Sequence, residues 1–154
     1  MRKRKLIDIV NANPIIQELA NKRSNNFKLL YSLAKISKNL NESTEFYIQS
    51  ERKLVETYAK KDKNGNVMFQ PGTNNIILFE NNENRIAFND EIVKLQLTEV
   101  DVPDEIEICE SDFKRGEISF SANQIMRMDG FIKFIFDDHL NEEYEKEGDT
   151  NKDA

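Results

Sequence analysis

The 154-residue sequence is short of several things, and each shortage narrows what the protein can be. It has one cysteine, Cys109, so a disulfide framework and a Cys-rich zinc site are both excluded. A reducing cytosol is the natural compartment for such a chain. It has one histidine, His139, which leaves little for imidazole catalysis or metal ligation. Five glycines and three prolines are too few for a collagen-like or low-complexity chain. No apolar run approaches the ~18 residues of a spanning helix, so no membrane span is expected. No secretory signal is expected either. The basic start Met1-Arg2-Lys3-Arg4-Lys5 is followed by an apolar stretch that ends too early.

Charge is plentiful instead: 32% of residues are charged, against 38% hydrophobic. The net charge of −6 hides a split between the two halves. Residues 1–63 hold 14 Lys and Arg against 7 acids, and residues 64–154 hold 8 against 21. The halves can neutralise each other within one fold, or the asymmetry can mark a partner surface or self-association. Residues 141–154 are polar and mostly acidic, and are expected to form a disordered tail behind a single domain over 1–140.

Four pieces follow along the chain. Residues 6–10 are apolar, and Asn13-Pro14 then reads as a helix start, with Ile15, Ile16, Leu19 and Ala20 as its apolar face. The helix stops in the polar stretch 21–26. A long helix follows over about 26–61. Its seam Leu29, Leu33, Ile36, Leu40, Ser43, Tyr47, Ser50, Leu54 alternates four and three apart. Glu42, Glu45, Glu51, Arg52, Lys53 and Glu56 fall on the exposed side. A break near 39–43, with Ser43 or Thr44 as a second cap, would turn this helix into a hairpin. Asn64-Gly65 is a turn, and residues 67–69 and 76–79 are short β-type runs of a small meander. Residues 81–84 read as another turn. Phe88, Ile92 and Leu95 then form a short helix capped by Asn89.

In the last third, Val100, Val102, Ile106 and Ile108 alternate with acids around Pro103, as two edge-type strands would. Ile118 and Phe120 resume the alternation. Ser121 to Gln124 matches a capping box, and Ile125, Met128, Ile132, Ile135 and Phe136 are expected on one face of the helix behind it. The fold class expected is α+β: a long N-terminal helical hairpin, a small antiparallel sheet and a buried C-terminal helix.

Each candidate site has a plainer alternative. Asp62, Asn64 and Asn66 have the spacing of a calcium loop. Val67 and Thr73 stand where that loop needs Gly and a bidentate Glu, so a turn is expected. Asp101, Asp104, Glu105, Glu107, Glu110 and Asp112 cluster in sequence, yet alternation turns Glu105 and Glu107 to water, and no His or Lys accompanies them. Arg2, Lys3, Arg4 and Lys5, extended by Lys22, Arg23 and Lys28, form a candidate phosphate-contacting patch. No aromatic residues interleave with these basic residues, so base stacking is not indicated and a solubilising terminus is the plainer reading. Cys109 lies between Glu107 and Glu110, the wrong field for a reactive thiol. The acids of residues 64–154 also permit imitation of phosphate rows. No catalytic residue, metal or cofactor is expected.

The run from Glu51 through Lys53, Tyr58, Lys61 and Asp62 to Asn66 follows a long helix. It precedes Phe88-Asn89-Asp90-Glu91-Ile92-Val93-Lys94-Leu95, an acidic β stretch and a closing element after Ser119-Phe120-Ser121. Over residues 10–136 this order resembles a family of small uncharacterised proteins of phages and prophages of low-GC Gram-positive bacteria. The resemblance implies a phage origin and the cytoplasm of the bacterial host, with the virion as the other setting. The function expected is non-enzymatic protein binding. One version blocks a bacterial defence complex such as a CRISPR or other nuclease effector. The alternatives are virion assembly, as a minor structural protein or chaperone, and nucleic-acid binding through the basic half. The interaction residues expected are Arg2, Lys3, Arg4, Lys5, Lys22, Arg23, Lys28, Glu105, Glu107, Glu110 and Asp112, and a homo-oligomer is compatible with the heptad seam.

Overall fold

The computed structural model describes residues 2–136. The expected acidic tail and His139 lie outside them. The chain is α+β. Its elements are β1 (Arg2–Lys5), α1 (Leu6–Ala20), α2 (Phe27–Tyr58), α3 (Asn82–Leu97), β2 (Glu99–Val102), β3 (Ile106–Cys109), α4 (Ala122–Met128) and β4 (Ile132–Ile135). A single 3-10 turn, Glu110–Asp112, follows β3.

The chain divides into two compact units, and neither is a continuous stretch of sequence. The first takes Met1–Asn13 and Lys38–Val102, the second Pro14–Ser37 and the residues from Pro103 on. The division thus cuts across the basic and acidic halves. It falls within α1, within α2 and at the Val102-Pro103 bond.

The expected breaking of the long helix into a hairpin does not occur: α2 is one helix of 32 residues, preceded by α1 across residues 21–26. Helix α1 begins at Leu6, not at Asn13 as the Asn-Pro pair suggested. Asn13 is buried inside it, and Pro14 is carried on its exposed side. There the hydrogen bond that proline cannot make is replaced by water at least cost. Helix α2 runs unbroken through 39–43, against the expected second cap. Its seam explains this: Leu29, Leu33, Ile36, Leu40 and Tyr47 are all buried, so a break would expose a continuous apolar face. The Thr44 hydroxyl donates back to the Leu40 carbonyl at 2.8 Å, which settles that side chain within the helix instead of at a cap.

In the first unit β1 pairs antiparallel with β2, placing Lys3 opposite Asp101 and Lys5 opposite Glu99. The Leu6 N–H donates to the Thr98 carbonyl at 2.9 Å and extends the pairing into the start of α1. The expected meander is reduced to two antiparallel bridges, Lys61 with Val67 and Phe69 with Ile77. Three backbone bonds close it into a ring. The Met68 N–H donates to Lys60 at 2.8 Å, Leu78 to Met68 at 3.1 Å, and Lys60 to Leu78 at 2.8 Å. The turn at its head is held by Asp62, whose Oδ1 accepts the Asn64 and Asn66 N–H groups at 2.8 and 3.0 Å, with Gly65 at φ +82°. Helix α3 begins at Asn82, eight residues before the expected start. Asn81 is the cap, its Oδ1 accepting the Asn84 N–H at 2.8 Å. The Phe88 ring lies edge-on to Tyr58 at 6.5 Å and tilted against Phe79 at 5.4 Å. Burial pushes the Tyr47 phenol above its ordinary pKa. Glu51 adds to that, and a hydrogen bond with Gln96 works against it.

In the second unit the two helical segments are tied by a reciprocal pair. Gln17 Nε2 donates to the Ser37 carbonyl at 2.8 Å, and Ser37 Oγ donates to Gln17 Oε1 at 2.7 Å. Its buried apolar residues are Ile15, Ile16, Leu19, Leu29, Leu33, Ile36, Ile106, Ile108, Phe113, Met128, Phe131 and Ile132. The capping box forms as expected, Ser121 N–H to Gln124 Oε1 at 2.9 Å and Gln124 N–H to Ser121 Oγ at 3.1 Å. The helix it opens ends at Met128, so the expected C-terminal helix face does not exist. Gly130, at φ +84°, terminates it, and Ile132 to Ile135 instead form β4. β4 pairs with β3 in parallel, from Ile106 opposite Ile132 to Cys109 opposite Ile135. A parallel pair needs a long crossover, and residues 110–131 supply it. Ile118 and Phe120 lie in that crossover outside any strand.

Candidate functional site

The second unit contains a polar clamp and, beside it, an apolar groove. Asp112 is the centre of the clamp. Its Oδ2 accepts the Cys109 N–H at 2.8 Å and its Oδ1 accepts the Asn26 side-chain amide at 2.9 Å. Its backbone carbonyl accepts the Ser24 hydroxyl. Ser24 Oγ in turn accepts the Asn26 N–H at 3.0 Å, and Asn26 Oδ1 accepts the Leu29 N–H at 3.1 Å as the cap of α2. The loop between the two helices is thereby fastened to the 3-10 turn behind β3.

The groove has a volume of about 480 Å³, within the range of sites that hold a ligand or an inserted side chain. Ile108 and Cys109 of β3, Phe134 and Ile135 of β4, Ile125 of α4 and Phe120 of the crossover contribute to its wall. The Phe120 and Phe134 rings meet at 6.0 Å, tilted by 57°. Lys114 and Arg115 bring cations to the lining and Glu110 a carboxylate. Ile125 and Phe136, both lining it, remain 44% and 78% exposed, and Met126 beside Ile125 is 76% exposed. Apolar side chains held in water around a concave wall suit the burial of another apolar group. Among the described residues no group of three or more His, Cys, Asp and Glu is gathered to hold a metal ion.

The expected interaction residues fall in different places. Arg2, Lys3, Arg4 and Lys5 form β1 of the first unit, where Lys3 Nζ stands 3.7 Å from Asp101. Lys22, Arg23 and Lys28 belong to the second unit, and Arg23 and Lys28 are exposed. The acids do not gather. Glu105, Glu107 and Glu110 are exposed, Glu107 lies opposite Lys133 in register, and Asp112 is committed to the clamp. Asp62 is likewise committed to its turn. Two features went unread in the sequence. The groove is built from residues scattered between 19 and 136, so no local motif announces it. The exposed rings of Phe27 and Tyr31 stand one helical turn apart among the basic residues, a spacing that was there to be seen.

No protein-family model, curated protein or solved structure matches the chain. Among the described residues no helix is long and apolar enough to cross a membrane.

Proposed function

We propose that this chain is a phage-encoded, non-enzymatic protein that acts in the host cytoplasm by binding another protein through the groove of its second unit. The observation that supports this most is the apolar wall with Ile125 and Phe136, both lining it, held in water. Burying one such side chain against a partner contributes ~1.5–3 kcal/mol, the scale of an interface anchor. The partner class is a bacterial defence complex with a basic, nucleic-acid-handling surface. The exposed Glu105, Glu107 and Glu110 offer it complementary charge, which speeds encounter and selects against acidic partners.

The test is affinity purification of the tagged chain from infected host lysate, after nuclease treatment and at high salt. A stoichiometric host nuclease component is expected with the wild type and absent with Ile125→Asp and Phe136→Asp together. Recovery of phage structural proteins alone replaces this reading with virion assembly. Identical recovery by wild type and variant refutes the groove.

A further inference from the structure

The outer face of the first turns of α2 carries a second kind of surface. Phe27 is 79% exposed and Tyr31 65% exposed, far more than two large aromatic rings need to be. They are four residues apart, so they stand side by side on one face, about 5–6 Å between Cβ atoms. That face is opposite the buried seam of Leu29, Leu33 and Ile36. Lys28 and Lys35 are exposed next to them, and the Lys35 Nζ lies 4.5 Å from the centre of the Tyr31 ring. Arg23 is exposed on the loop that enters the helix. From Leu19 to Asn41 the chain contains no acidic residue at all. Asp112 is the carboxylate bonded to the helix entrance, and both of its oxygens are engaged by N–H donors.

The geometry points to a docking surface for single-stranded nucleic acid on this face. Exposed rings on an acid-free, cationic helix surface match the two needs of such a ligand. Unpaired bases stack on aromatic faces, and phosphates are met by Lys and Arg. A duplex keeps its bases stacked on each other and offers nothing for Phe27 and Tyr31 to hold. The ammonium of Lys35 covers one face of Tyr31 and leaves the other for a base, with its charge beside the attached phosphate. This surface uses none of the groove residues, so the two readings stand or fall separately.

The test is fluorescence anisotropy of the full chain with a labelled oligo-dT of about 20 nucleotides and with a duplex of equal length, at about 50 mM salt and upward. The single strand is expected to bind more tightly than the duplex. Phe27→Ala with Tyr31→Ala is expected to weaken binding about tenfold or more without changing the salt slope. Tyr31→Phe, which keeps the ring, is expected to bind as the wild type does. Lys28→Gln with Lys35→Gln is expected to flatten the slope of log K against log salt by about 1.4, two phosphate contacts at ~0.7 each. All four side chains are exposed, so melting curves of the variants should overlay the wild type and exclude misfolding. Absence of oligonucleotide binding, equal affinity for the duplex, or unchanged binding by the double alanine variant overturns the proposal. So does loss of binding to an acidic polypeptide such as poly-glutamate in the same variant, with the oligonucleotide unaffected.

Discussion

Replacing Asp112 by alanine isolates the clamp. The substitution removes the acceptor for the Cys109 N–H and for the Asn26 side-chain amide, while the Ser24 bond to the backbone carbonyl and the Asn26 cap of α2 survive. A hydrogen bond to a charged acceptor contributes about 1.5–3 kcal/mol, and the substitution removes the one that the half-buried Cys109 N–H donates to Asp112. The Asn26 bond is exposed and adds about 0.5 kcal/mol. The expected loss is about 2–3.5 kcal/mol. For a chain of this size, at ~2–4 °C per kcal/mol, that lowers Tm by about 4–14 °C. Asp112→Asn keeps an oxygen of the same shape for the Cys109 N–H and should stay within about 1 kcal/mol of wild type. Urea unfolding followed by circular dichroism gives the stabilities, and amide hydrogen exchange at Cys109 gives the local effect. Exchange there should accelerate in the alanine variant and stay slow in the asparagine one. The reasoning fails if Asp112→Ala unfolds within about 0.5 kcal/mol of wild type, or if Asp112→Asn is equally damaging.

Three further outcomes follow from the packing. Leu33→Ala, at a fully buried position of the α2 seam, should cost about 3 kcal/mol in urea unfolding through the cavity it leaves. Ser121→Ala removes the cap of α4 and should cost about 1 kcal/mol, with faster exchange confined to the Gln124 amide and its neighbours. Tyr47→Phe tests the raised phenol pKa. The folded chain holds that proton to higher pH than the unfolded one, where it leaves near pH ~10. The stabilisation is therefore complete below that pH and is lost as pH rises through the folded value. Wild type should lose stability relative to Tyr47→Phe as pH rises from about 9 to beyond 10, measured as the difference of their melting temperatures. A constant difference across that range would refute the assignment.

The parts legible in the sequence were those fixed by near neighbours. The α2 seam from Leu29 to Tyr47, the Ser121–Gln124 capping box and the Asp62 turn each follow from spacings of a few residues. The misread elements were decided by distant partners. Ile132 and Ile135 are apolar at a spacing that fits a helix, and only Gly130 and the presence of β3 make residues 132–135 a strand. Arg2 to Lys5 read as a solubilising terminus because the acidic strand that pairs with them lies almost a hundred residues on. Asn13-Pro14 has the signature of a helix start, overridden because Leu6 and Ile9 are buried two turns and one turn earlier. Of the candidate sites, the basic residues stand out by charge, whereas Phe27 and Tyr31 read as ordinary apolar residues until the buried seam fixes which face of α2 is left bare. The groove was invisible for a different reason. Its wall exists only once β3 and β4 are paired.

The interleaving of the two units sets an order on biosynthesis. Residues 14–37 leave the ribosome early and carry Ile15, Ile16, Leu19, Leu29, Leu33 and Ile36, yet the other buried residues of their unit begin only at Ile106. Through the translation of roughly seventy residues these six apolar side chains have no partners from the far end of the chain, a period of several seconds at ~5–20 residues per second. A message truncated near codon 102 would encode every residue of the first unit and strand the helical insert of the second. Nascent chains of this protein are therefore expected to recruit host chaperones until the last third is made, and no simple terminal deletion will yield either unit alone.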